Sequence, residues 1–312
     1  MKGDEKRIKF DAHELAASVL NHINAYLEKN GLREWEINVN EGRILRNKKE
    51  LWHWKDTVEV DKRNEFSFEF DVNTQSVVSC VNFTGKHLIT QIGNKFIEFD
   101  DILKQKWNSE LAIKIATGFV ECCLGKIPDN VGQAKVEFHQ TLGTYNKETQ
   151  KVRYRVPYWW ISFPRVDKNG YEFQMEYIDV EIYEDFGPTS IFVKMPSRYT
   201  LIDKKPLKQE QVVEKAVVYA YKLMKSKSVG GLFYGGKINE VPASAKLEIV
   251  KSNHLADLRD LPSSKDIDLN ARLAWVFWFE WTKDDPHDSR KNGGIAVWID
   301  AHTGKPLGGD GF

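Results

Sequence analysis

A pattern that recurs about every hundred residues constrains this chain more than any other feature. Three amphipathic segments, Ala12–Lys29, Ser109–Leu124 and 208–224, each open with a glutamate ahead of an apolar-periodic stretch. The openings are Glu14-Leu15-Ala16-Ala17, Glu110-Leu111-Ala112-Ile113 and Glu210-Gln211-Val212-Val213, spaced 96 and 100 residues apart. Leu15, Val19, Ile23 and Leu27 fall four apart in the first, and Val213, Val217, Ala220 and Met224 share one face of the third. That spacing predicts helices with one apolar stripe. Asp11 and Ser109 are the expected N-caps, and Gly31 and Gly125 stand where helix-ending glycines belong.

After each helix the period changes to two. The first segment offers Leu51-Trp52-His53-Trp54, then 65–71 and 76–83. The second offers 134–142, 152–163, 171–183 and 190–194. The third offers 245–250, 272–281, 294–300 and a short tail near Leu307. Phe66, Phe68 and Phe70 alternate with Ser67, Glu69 and Asp71, which predicts a strand with one buried and one wet face. Asp167-Lys168-Asn169-Gly170 and Lys291-Asn292-Gly293-Gly294 carry hairpin chemistry, since Asn and Gly accept positive φ. A helix followed by about four antiparallel strands closes a core only by lying across the sheet. The expected fold is therefore α+β, as three tandem units over residues 1–100, 101–203 and 204–312. Length alone, 312 residues, suits about two domains.

The end of the chain reads Val297-Trp298-Ile299-Asp300-Ala301-His302-Thr303-Gly304-Lys305-Pro306-Leu307-Gly308. This resembles the closing hairpin of a PepSY domain, in which an apolar strand ends in Asp, a Thr-Gly-Lys turn follows and a short strand returns. Leu207-Lys208-Gln209-Glu210 is similar to the approach to that family's opening helix. Phe70-Asp71-Val72-Asn73-Thr74-Gln75-Ser76-Val77-Val78 echoes the hairpin with Gln75 in place of the turn glycine, and Ile182-Tyr183-Glu184-Asp185-Phe186-Gly187-Pro188-Thr189 matches it more poorly. The resemblance implies a cystatin-like fold, a helix wrapped by an antiparallel sheet. It also implies non-catalytic work, since such domains occur in peptidase propeptides, in bacterial envelope proteins and in a spore protein with several copies. The Gln-x-Val-x-Gly loop by which cystatin blocks proteases is absent from the sequence.

Chemistry-bearing motifs fall short. Gly231-Leu232-Phe233-Tyr234-Gly235-Gly236-Lys237-Ile238 nearly matches a phosphate loop, but Ile238 stands where the Mg²⁺-binding hydroxyl belongs and Val241-Pro242 follows where a helix should start. Asp266-Ile267-Asp268-Leu269-Asn270 opens like a calcium loop, yet Ala271 and Phe277 occupy the glycine and glutamate positions. Asp284-Asp285-Pro286-His287-Asp288 reads as a solvated hairpin tip. His13-Glu14 lacks the second histidine of a zinc-protease helix, and no Gly-x-Ser-x-Gly elbow occurs. Cys80, Cys122 and Cys123 are too few for a disulfide framework and read as small buried hydrophobes. Paired carboxylates for glycosidase chemistry stay open, with 45 acids in the chain. No catalytic residue, cofactor or metal ligand is expected.

Lysine and arginine total 45 against 45 acids, so no general positive field draws nucleic acid or acidic membranes. No apolar run spans a bilayer, and Met1-Lys2-Gly3-Asp4-Glu5-Lys6-Arg7 has no apolar segment behind it. Cytoplasmic placement is expected, or the cell envelope if a leader has been removed. The expected function is a non-enzymatic protein-binding module, an inhibitor or stabiliser of a partner peptidase or hydrolase. The alternatives are an enzyme with its site in a cavity of the cystatin-like fold, and a structural envelope or spore component. Tyr158-Trp159-Trp160 and the run Trp275 to Phe279 place apolar side chains on both strand faces. Trp159, Trp160, Phe277 and Trp278 are therefore the candidate binding residues. Packing between repeats is the competing explanation for them.

Overall fold

The structure is a computed structural model. It describes residues 10–47, 56–83, 90–92, 105–139, 144–146, 151–154, 157–184, 186–195, 198–200, 202, 204–225, 236–252, 270–283 and 292–311. The expected strand at Leu51–Trp54, the expected boundary between residues 100 and 101, Gly231–Gly235, Asp266–Leu269 and Asp284–Asp288 lie outside these residues. The fold is α+β, in two compact units: Met1–Arg165 with Glu176–Met195, and Val166–Met175 with Pro196–Phe312.

Unit 1 carries helices α1 (Ala12–Lys29) and α2 (Ser109–Leu124). Its strands are β1 (Arg43–Asn47), β2 (Thr57–Lys62), β3 (Phe66–Asp71), β4 (Val77–Asn82), β5 (Thr90–Ile92), β6 (Lys135–His139), β7 (Thr144–Asn146), β8 (Lys151–Tyr154), β9 (Tyr158–Val166), β10 (Glu172–Tyr183) and β11 (Gly187–Lys194). Eight of them pair in the order β1-β2-β3-β4-β11-β10-β9-β6, and β5-β8-β7 form a separate small sheet. Asp11 caps α1, accepting from the amides of His13 and Glu14. At α2 the cap is Asn108, one residue earlier than expected, accepting from the Leu111 amide. Both residue types cap well, and Ser109 already lies in the first turn.

One apolar cluster takes Ala16, Ile23 and Leu27 from α1, Ala112, Phe119 and Cys123 from α2, and Phe68, Trp159, Ile161 and Ile178 from the strands. The Tyr26 hydroxyl donates to the Ile115 carbonyl at 2.9 Å, tying α1 to α2. Trp35 sits between Phe68 and Phe119, and its indole donates to the Pro188 carbonyl. The first two expected repeats thus share a single core within one unit.

Unit 2 carries α3 (Val213–Met224), preceded by a 3₁₀ turn at Gln209–Gln211. Its strands are β12 (Arg198–Tyr199), β13 (Gly236–Ile238), β14 (Ser244–Lys251), β15 (Asn270–Lys283), β16 (Asn292–Asp300) and β17 (Pro306–Gly311). β14-β15-β16-β17 run antiparallel, and α3 buries Ala216, Ala220 and Leu223 against Phe277, Phe279, Ile295 and Val297. The sheet is mixed: β12 runs parallel to β15, and Phe173 of β10 bridges parallel to Ile249. A purely antiparallel sheet was expected; the parallel pairs come from short segments that join β15 and β14 from elsewhere in the chain.

Two hairpins, β3–β4 and β16–β17, are built alike. Asp71 Oδ1 accepts from the amides of Asn73 and Thr74, and Asp300 Oδ1 from those of His302 and Thr303. Gln75 N–H donates to the Asp71 carbonyl and Gly304 N–H to that of Asp300. Each aspartate amide donates five residues on, to Ser76 and Lys305. The bulge also matches: Phe70 pairs with Val77 and Glu69 with Ser79, as Ile299 pairs with Pro306 and Trp298 with Gly308. Both turns need a left-handed residue, φ 67° at Gly304 and φ 58° at Gln75. Glycine takes that conformation freely; glutamine takes it at a cost.

Candidate functional site

The four aromatic candidates divide by strand face. On β9, Trp159 is buried in the unit 1 core, 4.9 Å from the Phe138 ring, and its Nε1 donates to Glu184 Oε1 at 2.8 Å. Trp160 points the other way, half-buried and edge-on to His139. On β15, Phe277 is fully buried beneath α3, stacked near Phe279. Trp278 is half-buried on the opposite face, where its ring lies so close over Gly294 that a Cβ there would overlap it. Each pair sits together on its own strand, and the two pairs belong to different units.

Glu184 is a residue the sequence did not single out. Its carboxylate accepts from the backbone amides of Lys106 and Trp107, at 2.7 and 3.0 Å, as well as from the Trp159 indole. It fixes the chain immediately before α2. In unit 2, the Trp275 indole on β15 donates to the Leu207 carbonyl at 2.8 Å and so fixes the approach to α3.

The face of the unit 1 sheet away from the helices is polar yet buried: Ser67, Ser79, Asp179, Glu181 and Ser190 are each less than a tenth exposed. Along β10 these acids alternate with core residues Ile178, Val180 and Ile182, so the sequence reads as a strand with one wet face. Burial pushes the Asp179 carboxyl up to about 6; hydrogen bonds from Ser162 and Trp160 pull it down, Glu181 raises it and Lys194 lowers it. A folded carboxyl above its ordinary range binds protons more tightly than the unfolded chain does, so stability falls as pH rises from about 4 to 6. Asp179→Asn is therefore expected to stabilise unit 1 by about 1–3 kcal/mol at pH 8 and by almost nothing at pH 4. Urea midpoints at the two pH values check this; an equal effect at both would contradict it.

Burial pushes the Cys123 thiol well up, with Cys80 beside it raising it further, and the half-buried Cys122 thiol stands at about 12. Neither is a ready nucleophile at neutral pH. Among the described residues no group of three or more His, Cys, Asp and Glu side chains could hold a metal ion. His13 Nε2 instead meets the Gly42 carbonyl at 2.8 Å. Lys237 and Ile238 of the near-phosphate loop lie in β13, paired with Thr282 and Trp281 of β15. No described helix is long and apolar enough to cross a membrane.

An exposed apolar patch lies on α3. Val218 is 71% exposed, and Val241 in the loop after β13 equally so. Tyr221, one turn on from Val218, donates its hydroxyl to Glu240 and so holds that loop against the helix. The available signal was that Val218 falls outside the predicted stripe of Val213, Val217, Ala220 and Met224.

No known protein family matches the sequence, and no curated protein does. Two solved structures align along most of the chain. The Bacillus megaterium YpeB C-terminal domain is 12% identical, over 94% of this chain and 96% of that one, with a TM-score of 0.36. An uncharacterised protein from Eubacterium rectale ATCC 33656 is 11% identical, over 96% and 82%, with a TM-score of 0.46. Neither passes a site or a partner to this chain.

Proposed function

We propose that the chain is a non-catalytic protein-binding module of three PepSY-like, cystatin-like repeats, which inhibits or stabilises a partner hydrolase. The repeat reading draws support from the shared Asp71 and Asp300 hairpins, down to the bulge. It also draws on strand order: β1-β2-β3-β4, β6-β9-β10-β11 and β14-β15-β16-β17 each follow one helix and pair in chain order.

Binding rests on one observation, the patch of Val218, Tyr221 and Val241 on unit 2. Two valines that exposed on one held surface are better explained by a partner than by packing within the chain. Cross-linking capture from the native host, with the wild type and with Val218→Asp/Val241→Asp, tests the proposal. The expected result is a hydrolase retained by the wild type and lost by the variant, whose activity or half-life changes when the purified chain is added. Equal capture by both proteins, or a purified hydrolase indifferent to the chain, would overturn it. Val218 is on the solvent side of α3, so the variant is expected to unfold at the wild-type midpoint.

A further inference from the structure

A second feature of unit 2, separate from the α3 patch, has the chemistry of an anion site. A cavity of about 420 Å³ opens between the β9–β10 turn and the segment after β12. Lys168, Lys204 and Lys205 line it together with Tyr171 and Tyr199, over Leu273. Its volume is in the range of small-molecule sites.

The walls are held by the backbone. Asp167 Oδ1 accepts from the amides of Asn169 and Tyr171, and the Asp167 amide donates to the Tyr171 carbonyl. This closed turn fixes Lys168 at its tip. Lys204 is fixed from both sides, since its amide donates to the Ile202 carbonyl and its carbonyl meets His302 Nε2 at 2.9 Å. Tyr199 stands edge-on to Phe173, 5.4 Å away, and Phe173 is buried with Leu273, Ile249 and Ala301. The floor is therefore apolar and packed.

Among the described residues, the cavity lining carries three cations and no carboxylate. Among the described residues, no carboxylate makes an ion pair with Lys168, Lys204 or Lys205. Among the described acids, Asp167 precedes the lining residue Lys168; its Oδ1 is engaged by the turn amides, and the carboxylate faces Tyr199. Burial, with Asp167 next, pushes the Tyr199 phenol to about 12, which leaves it a neutral hydroxyl. Three ammonium groups, two phenol rings and a dry floor together suit a multiply charged oxyanion attached to a flat or chain-like body.

The geometry points to a binding site for the phosphate group, free or as a small phosphomonoester, formed by Lys168, Lys204 and Lys205 with Tyr171 and Tyr199 as the wall for its organic part. Ammonium groups meet phosphate as point charges with several donors each, so no fixed fork is required. The site would work whether or not the α3 patch binds a protein.

The test is titration of the whole chain with inorganic phosphate and with phenyl phosphate, at matched ionic strength in chloride, read by calorimetry and by NMR shifts of the Asn169 and Tyr171 amides. Saturable binding is expected, with both amides shifting. Tighter binding of phenyl phosphate would identify a phosphomonoester as the source, and equal binding the free ion. Lys168→Gln/Lys204→Gln/Lys205→Gln is expected to weaken binding about tenfold or more, whereas Lys29→Gln/Lys114→Gln/Lys126→Gln, with the same change in net charge on unit 1, leaves it unchanged. All six lysines are exposed, so both variants are expected to fold. Undiminished binding by the pocket variant, equal weakening by both variants, or no saturable binding of either ligand would overturn the proposal.

Discussion

Arg165→Met is expected to cost unit 1 about 3–5 kcal/mol, because it leaves a buried carboxylate without its cation. Arg165 Nη1 lies 2.7 Å from Glu176 Oε2. The Glu176 side chain is 1% exposed and that of Arg165 16%. Water cannot replace the lost cation at such a site, so the Glu176 charge loses the ion pair that offsets its desolvation. Removing both charges in Arg165→Met/Glu176→Leu is expected to recover most of the loss, since the pair itself contributes little over an apolar replacement. Urea unfolding curves for the three proteins decide it. A double variant as unstable as the single one would show that packing, and not the orphaned charge, sets the cost.

Glu184→Ala is the second large effect, expected at about 2–4 kcal/mol, because three donors lose one acceptor together. The amides of Lys106 and Trp107 and the indole of Trp159 all converge on this carboxylate. Glu184→Gln keeps one acceptor oxygen and should lose about half as much. Hydrogen exchange places the effect: the Lys106 and Trp107 amides should exchange far faster in the alanine variant, ahead of α2. Protection unchanged at those two amides would show that they find other acceptors, and that Glu184 does not hold the chain there.

The three helices were legible because their apolar stripes are long and regular: α1 and α2 fall on the predicted spans. In the third segment the chain first makes a 3₁₀ turn at Gln209–Gln211, and the α-helix starts only at Val213. Strands were legible where aromatic and β-branched residues alternate with polar ones, as at Phe66–Asp71. β1 and β2 were not found. β1 carries two arginines within five residues, and β2 offers only Val58 and Val60 between polar neighbours. The span 152–163 divides into β8 and β9 around Pro157, a break that its alternation did not reveal.

The sharing of one core by α1 and α2 was out of reach for a different reason. Periodicity says which face of a helix is apolar, but not which neighbour covers it. Phe119 and Leu27 have the same pattern whether they bury in one cluster or in two. The same limit hid the burial of Asp179 and Glu181, whose alternation with Ile178 and Val180 is that of a solvated face. Glu184 gave no local signal, since its partners lie 25, 77 and 78 residues away. Among the candidate aromatics, the argument from opposite faces located Trp159 and Phe277 as inward and Trp160 and Trp278 as outward only after the strands were placed.

Two end strands, β1 of the unit 1 pairing order and β17 of the unit 2 order, bear on behaviour in concentrated solution. An open strand edge is a template on which another chain can lay down its own backbone. β1 meets that hazard with charge, Arg43 reaching back to Asp61 on β2 and Arg46 to Asp56 just before it. β17, Pro-Leu-Gly-Gly-Asp-Gly, offers a proline without an amide proton, three glycines without side chains to interlock, and an aspartate. Neither is a good seed for cross-β growth. These two sheet ends are thus built to resist fibrils and strand exchange, which leaves side-chain surfaces as the favoured route for association there.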